Sequence, residues 1–135
     1  MKKAWIYYGV FFNEKVKELL LKKAKELVNI PDDWNIYADH MTIIYNDGDS
    51  SKEEKAAALD LILGEHQALM ITSIGTTNEA VAFGVSNYAT QNEHAHITIA
   101  TAPGIKPVRS NFIKKWIPIN AFYVTGKIGK ISKKK

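Results

Sequence analysis

Two short stretches of this chain repeat one arrangement of side chains suited to acid–base chemistry: His40-Met41-Thr42-Ile43 and His96-Ile97-Thr98-Ile99. In each, a hydroxyl follows an imidazole two residues on, with aliphatic residues between and after. Alternate side chains of an extended strand point to opposite faces. His40 and Thr42 therefore share one face and Met41 and Ile43 the other; His96 and Thr98 stand likewise against Ile97 and Ile99. One such triplet is common in β-rich proteins, but two copies, each inside an aliphatic run bounded by polar residues, form a pattern.

The chemistry this pattern suits is the cleavage of a phosphodiester. That reaction needs a base for the attacking oxygen, an acid for the leaving oxygen, and donors for the non-bridging oxygens. Two imidazoles answer the first two needs, because an ordinary pKa near 6.5 lets one be neutral while the other is protonated. Two threonine hydroxyls, each on the face of its histidine, answer the third as a preorganised clamp. No cofactor is required by this scheme, and none is expected.

The elements that hold the motifs can be read from the pattern around them. Ala4 to Phe12 reads as a buried strand rich in aromatics. Ile6, Tyr8, Val10 and Phe12 form its more uniformly apolar face, so Trp5, Tyr7, Gly9 and Phe11 are expected toward a cleft, with Gly9 leaving room for a ligand and Tyr7 stacking on a base. Asn13 caps a helix in which Val16, Leu19, Leu20, Ala24 and Leu27 recur at helical spacing through Val28. A break at Pro31-Asp32-Asp33 and a polar approach from Trp34 to Asp39 lead into the first motif strand, His40 to Tyr45. Ser51 and Glu54 make a capping box for a second helix running to about Leu63, which Gly64 ends. Ala68 to Ile74 and Ala80 to Val85 form a hairpin around Gly75-Thr76-Thr77-Asn78. The second motif strand, Ala95 to Thr101, precedes the irregular run Ala102 to Pro107. Asn111 caps a short helical turn through Trp116, and Ala121 to Ile131 is a final strand. Hairpins and unalternated strands predict an α+β domain.

Composition narrows the setting. A chain of 135 residues is long enough to bury one core, so one domain over residues 1–132 is expected, followed by a basic tail at 133–135. Cysteine is absent, which removes disulfides, thiolate metal sites and a cysteine nucleophile, and fits a cytoplasmic location. The apolar run after Lys2 and Lys3 is short, aromatic and broken at Asn13-Glu14, which predicts a strand and not an export signal. No apolar stretch approaches the roughly 20 residues that span a bilayer, so a soluble protein with no membrane partner is expected. The net charge is +4, with lysines gathered on the first helix and at the C-terminal end. Arg109 is the only arginine. Its planar fork, with Lys106 nearby, is a candidate phosphate contact. His94 shares a face with His96, the spacing of a metal-binding pair, but only Glu93 and Asp39 offer further ligands, so no metal site is expected. Ser110 and Asn111 read as capping residues.

The two motifs, His40-Met41-Thr42-Ile43 and His96-Ile97-Thr98-Ile99, resemble the signature of the 2H phosphoesterases: two His-x-Thr/Ser-hydrophobic motifs on strands of two similar lobes. The order of elements is compatible over most of the chain, and Gly104 to Asn111 looks like the loop that follows the second motif in some members. The resemblance implies a bilobal fold in which two antiparallel sheets line a central cleft and helices pack outside. It implies metal-independent catalysis by His40, Thr42, His96 and Thr98, and a nucleotide or RNA substrate such as a 2′,3′-cyclic phosphate, an RNA end or a 3′,5′-linked cyclic oligonucleotide. Small phage members that destroy the cyclic nucleotide signals of bacterial defence look similar in size. A member that only binds nucleotides or RNA is the alternative, against which the intact histidines and threonines argue. A second aromatic beside the site, such as Tyr88, Trp116 or Tyr123, would favour a substrate with two bases.

Overall fold

The computed structural model describes residues 5–132; the start of the expected first strand at Ala4 and the basic tail at 133–135 lie outside them. Strand β1 (Trp5–Phe11) is followed by helix α1 (Glu14–Leu27), and a short strand β2 (Asn35–Ile36) leads into the first motif strand β3 (His40–Tyr45). Helix α2 (Lys52–Asp60), strands β4 (His66–Thr76) and β5 (Ala80–Val85), and the second motif strand β6 (His96–Thr101) come next. A 3₁₀ segment (Pro107–Phe112) and a long strand β7 (Trp116–Ser132) complete the chain. It is an α+β protein.

The strands form one seven-stranded antiparallel sheet in the order β2-β6-β5-β4-β7-β1-β3. This corrects the expectation of two sheets. The reason is β7, which is longer at both ends than the Ala121 to Ile131 strand read from the sequence. Its first part pairs with β4, from Trp116 to Lys127, and its last part with β1, from Lys127 to Ser132. One continuous strand thus stitches together what the sequence offered as two sheets.

The core is aliphatic and continuous, with Val10, Leu20, Met41, Ile43, Leu69, Ile71, Phe83, Ile97 and Ile99 all buried in one cluster. Helix α1 adds Leu20 and Ala24 to it. Its start is as expected, since the Asn13 side chain accepts a hydrogen bond from the Val16 backbone N–H at 3.0 Å, satisfying one otherwise unpaired amide of the first turn. The second helix starts differently. Ser51 has helical backbone angles and makes no capping bond; its hydroxyl instead donates to Asp49 Oδ1 at 2.8 Å. The turn before α2 therefore closes on Asp49, and no capping box forms. Asn111 likewise does not begin a helical turn: it lies inside the 3₁₀ segment, which opens at Pro107, and Trp116 already belongs to β7.

Candidate active site

The two motif strands lie toward opposite ends of the strand order, and one segment joins them. β2 pairs with β6, and the ladder continues past it: Tyr37 N–H donates to Ile99 O and Ala38 N–H to Thr98 O, at 2.8 and 2.9 Å. Two residues after Ala38, the same chain begins β3 against β1 at His40. The backbone of the first motif is thus bonded, just before it starts, to the backbone of the second. Buried Ala38 makes the corner with φ of 56°, a left-handed conformation that costs a non-glycine residue about 1–3 kcal/mol and is tolerated where the surroundings over-determine it.

Both motif strands carry the same irregularity. Against β1, Thr42 lies opposite Gly9 and Ile44 opposite Tyr8, so Ile43 is an extra residue. Against β5, Thr98 lies opposite Ala82 and Ala100 opposite Val81, so Ile99 is the extra residue. Each motif therefore contains a β-bulge at its hydrophobic fourth position, and each bulge residue is fully buried. Bulges bend a strand and re-aim its side chains, often beside functional sites. Here the first bulge has a visible result: simple alternation would put Tyr45 on the core face with Met41 and Ile43, and the extra residue turns it to the face of His40 and Thr42.

A cavity of about 630 Å³ is lined by His40, Thr42, His96 and Thr98 together. Tyr7 and Lys106 also line it, as expected from the sequence, and Tyr37, Tyr45, Lys52 and Asn111 complete much of its wall. Arg109 does not line it. Its guanidinium Nε donates to Glu79 Oε1 at 3.2 Å and lies over the Phe112 ring, because the 3₁₀ segment turns the arginine outward while carrying Ser110 inward. Trp5 also departs from the expected cleft face: it is buried and packs on Tyr8, a consequence of a register shift between Trp5 and Tyr7 in the β1–β7 pairing. Gly9 leaves room for backbone and not for a ligand, since a Cβ there would stand 2.6 Å from the Met41 carbonyl oxygen.

The two histidines are held by different partners. His40 Nδ1–H donates to Asp39 Oδ1 at 2.8 Å, which leaves Nε2 to exchange a proton. Its ring lies against Tyr7 and Phe11, with centroids 5.1 and 5.5 Å away. His96 Nδ1–H donates to the His94 carbonyl oxygen at 2.8 Å, so Nε2 is again the nitrogen that can exchange a proton. That atom lies 3.0 Å from Ser110 Oγ, which is also 2.6 Å from Thr98 Oγ1. Burial lowers the His96 pKa from its ordinary 6.5, with the nearby His94 adding to the fall; hydrogen bonds to the His94 carbonyl and the Asn111 side chain oppose it. His94 itself is outside the cavity wall, stacked on Trp116 with centroids 4.1 Å apart. Among the described residues no group of three or more histidines and carboxylates is close enough to share a metal.

Sequence reasoning missed three contributors. Ser110 read as a capping residue and is instead buried against both motif-two groups. Lys52 is held at the cavity wall by Tyr45 O, Asp47 Oδ2 and Gln91 Oε1 at 2.9, 3.0 and 3.2 Å; its position depends on a loop contact that no local pattern encodes. Tyr45 was hidden by the bulge. Of the aromatics expected beside the site, Trp116 lies 6.1 Å from the His96 ring, but neither it nor Tyr88 nor Tyr123 lines the cavity; Tyr37 and Tyr45 do, and the Tyr45 ring is parallel to that of Tyr7 within 7°, with centroids 6.4 Å apart. No helix among the described residues is long and apolar enough to cross a membrane. Compared with models of known protein families the chain matches none, and it matches no curated protein in sequence.

Proposed function

We propose that this chain is a cytoplasmic, metal-independent phosphodiesterase of the 2H type that cleaves a nucleotide or RNA phosphodiester with two histidines as acid and base. The observation that carries this reading is the single cavity in which both His-x-Thr motifs meet, each imidazole with Nδ1 committed to an oxygen and Nε2 left for proton transfer. The shared bulge supports reading the one sheet as two related halves, one built on β1 and β3 and the other on β5 and β6.

The different environments support a division of roles. His96, whose pKa burial lowers, takes the proton from an attacking water at Nε2 as the oxygen closes on phosphorus, while the Ser110 hydroxyl turns its hydrogen from Nε2 to the Pro107 carbonyl oxygen and frees the lone pair. His40, its ring held through Nδ1–H on the Asp39 carboxylate, gives its Nε2 proton to the departing ribose oxygen as the P–O bond breaks. Thr42 donates to a non-bridging oxygen, and Lys106 adds positive charge at the rim; the Thr98 hydroxyl hydrogen is held on Ser110 Oγ, which sets that threonine beside the base. With a ribose 2′-hydroxyl in place of water, the same transfers leave a cyclic phosphate. Proton transfer at a positioned side chain contributes on the order of 10²–10⁴-fold.

The parallel rings of Tyr7 and Tyr45, with Tyr37 also on the wall, favour a substrate that brings more than one base. A 3′,5′-linked cyclic oligonucleotide, including the second messengers of bacterial antiviral defence, fits that description, since each aromatic face can stack on a base without reading its edge. Product analysis in excess chelator tests the proposal, using 2′,3′-cyclic mononucleotides and cyclic di- and trinucleotides. Turnover by wild type that is lost in both His40→Ala and His96→Ala supports it; binding without turnover across the panel would make the chain a nucleotide-binding module.

A further inference from the structure

Ser110, 1% exposed, sits behind the cavity wall on two residues that line it, His96 and Thr98, and it belongs to neither motif. One oxygen atom serves three groups: Ser110 Oγ is bonded to His96 Nε2, Thr98 Oγ1 and the Pro107 carbonyl oxygen, the last at 2.8 Å. A serine hydroxyl has one hydrogen and two lone pairs, which limits how the three bonds can be made. If the hydrogen goes to Pro107 O, which can only accept, Thr98 and His96 must both donate to Ser110. His96 already donates from Nδ1 to the His94 carbonyl, so it is then an imidazolium. If His96 is neutral, Nε2 needs a donor, and the Ser110 hydrogen must turn from Pro107 to it.

We propose that Ser110 is a positioning residue of the proposed phosphodiesterase site: it holds His96 Nε2 and Thr98 Oγ1 on one oxygen, and its hydroxyl hydrogen moves between His96 and Pro107 O as Nε2 loses or gains a proton. Burial rules out a nucleophile's role for it, since a nucleophile must reach phosphorus. The hydrogen bond to Nε2 is satisfied on both sides of the proton transfer, which keeps the ring in place while its charge changes. The shared oxygen also fixes the threonine hydroxyl beside the base, so one side chain sets the geometry of both motif-two groups. Motif one is held at the other nitrogen, Nδ1, by the Asp39 carboxylate; motif two has at Nε2 a hydroxyl that can reverse its direction.

The charged and titratable groups around His96 are His94 beside it in the chain, and His40, Lys52, Asp47 and Lys106 on the cavity wall with the tyrosines. None of these changes in Ser110→Ala, so a change in His96 titration there reports the lost hydroxyl. The inference rests on the phosphodiesterase reading for its activity arm only. Wild type, Ser110→Ala and Ser110→Thr are compared in two measurements: kcat and KM on whichever ester wild type cleaves, and the His96 ring titration followed by ¹⁵N NMR. Ser110→Ala is expected to lower kcat about tenfold, the effect of one functional hydrogen bond, with KM within about twofold of wild type. Its His96 midpoint should move to lower pH, because the imidazolium loses the acceptor for Nε2–H. Ser110→Thr, which keeps the hydroxyl, should restore both. An unchanged His96 midpoint in Ser110→Ala overturns the inference, whether activity is kept or is lost through misfolding. A wild type inactive on every ester sinks the phosphodiesterase reading alone, because the NMR arm still reads the hydrogen-bond coupling.

Discussion

The two copies of the His-x-Thr motif have nearly the same backbone and quite different surroundings. Both carry a bulge at the fourth position, and both set imidazole and hydroxyl on the cavity wall. The residue across from His40 is Phe11, whose ring lies against the imidazole; the residue across from His96 is Gly84. A Cβ at Gly84 would run into Ser73 Oγ and stand 2.7 Å from His94 Nε2, so only glycine admits those two side chains opposite the second motif. His40 is part-exposed and backed by a carboxylate, and His96 is 7% exposed and backed by a carbonyl and a hydroxyl. The motif is repeated, and its unrepeated neighbours give the two imidazoles different surroundings.

The comparison can be broken most decisively at the histidines themselves. Either His40→Ala or His96→Ala should lower kcat by about 10²–10⁴-fold in chelator, since each removes one proton transfer, and steady-state rates on the responsive ester would measure it. A variant that keeps full activity would mean the motif it belongs to is not catalytic. Next in size is Asp39→Asn, which keeps the shape of the His40 contact but removes the charge behind it; kcat should fall on the order of tenfold or more with KM little changed, as for an orienting carboxylate. No equivalent residue stands behind His96, so a carboxylate dependence is expected of the first motif alone.

Binding should separate from chemistry at Tyr7. Tyr7→Ala should raise KM about tenfold, the scale of one lost base stack, and Tyr7→Phe should remain near wild type. A smaller effect distinguishes His96 through pH. Its pKa lies below 6.5 in the folded protein, so below that value the unfolded chain binds the proton more readily than the native one. Its contribution to stability is therefore fully present above about pH 6.5 and declines as the pH falls through the lowered native value. Urea midpoints across this range should drop toward acid more steeply in wild type than in His96→Gln. The smallest change is expected at Arg109. Arg109→Ala breaks an exposed pair with Glu79, worth at most about 1 kcal/mol, and should leave kcat and KM within about twofold.

Much of this site was legible because strand alternation is a local rule. The type and order of elements followed from hydrophobic period, and the Asn13 cap, the hairpin at Gly75 to Asn78 and the shared face of each His-Thr pair agreed with the sequence. The failures have non-local causes. The length of β7 depends on two partner strands far apart in the chain, and it turned two expected sheets into one. The bulge at Ile43 shifts Tyr45 by one face, and nothing in the run Met41 to Tyr45 marks which residue is extra. Arg109 and Ser110 are neighbours in a 3₁₀ segment, so placing one inward sends the other out; charge favoured the arginine, and the fold chose the serine. Gly9 shows the same limit: an absent side chain tells of a close approach without telling what approaches.

If the two imidazoles address one phosphate, binding shows it without requiring turnover. The ¹⁵N ring signals of His40 and His96 would be followed as a nucleoside 3′-phosphate is added to the wild-type protein in chelator. The account predicts that the Nε2 signals of both rings move together along one saturation curve with a single Kd, and that neither moves in that way once the other is replaced by alanine. Shifts confined to one histidine, or two curves with separate constants, would contradict it.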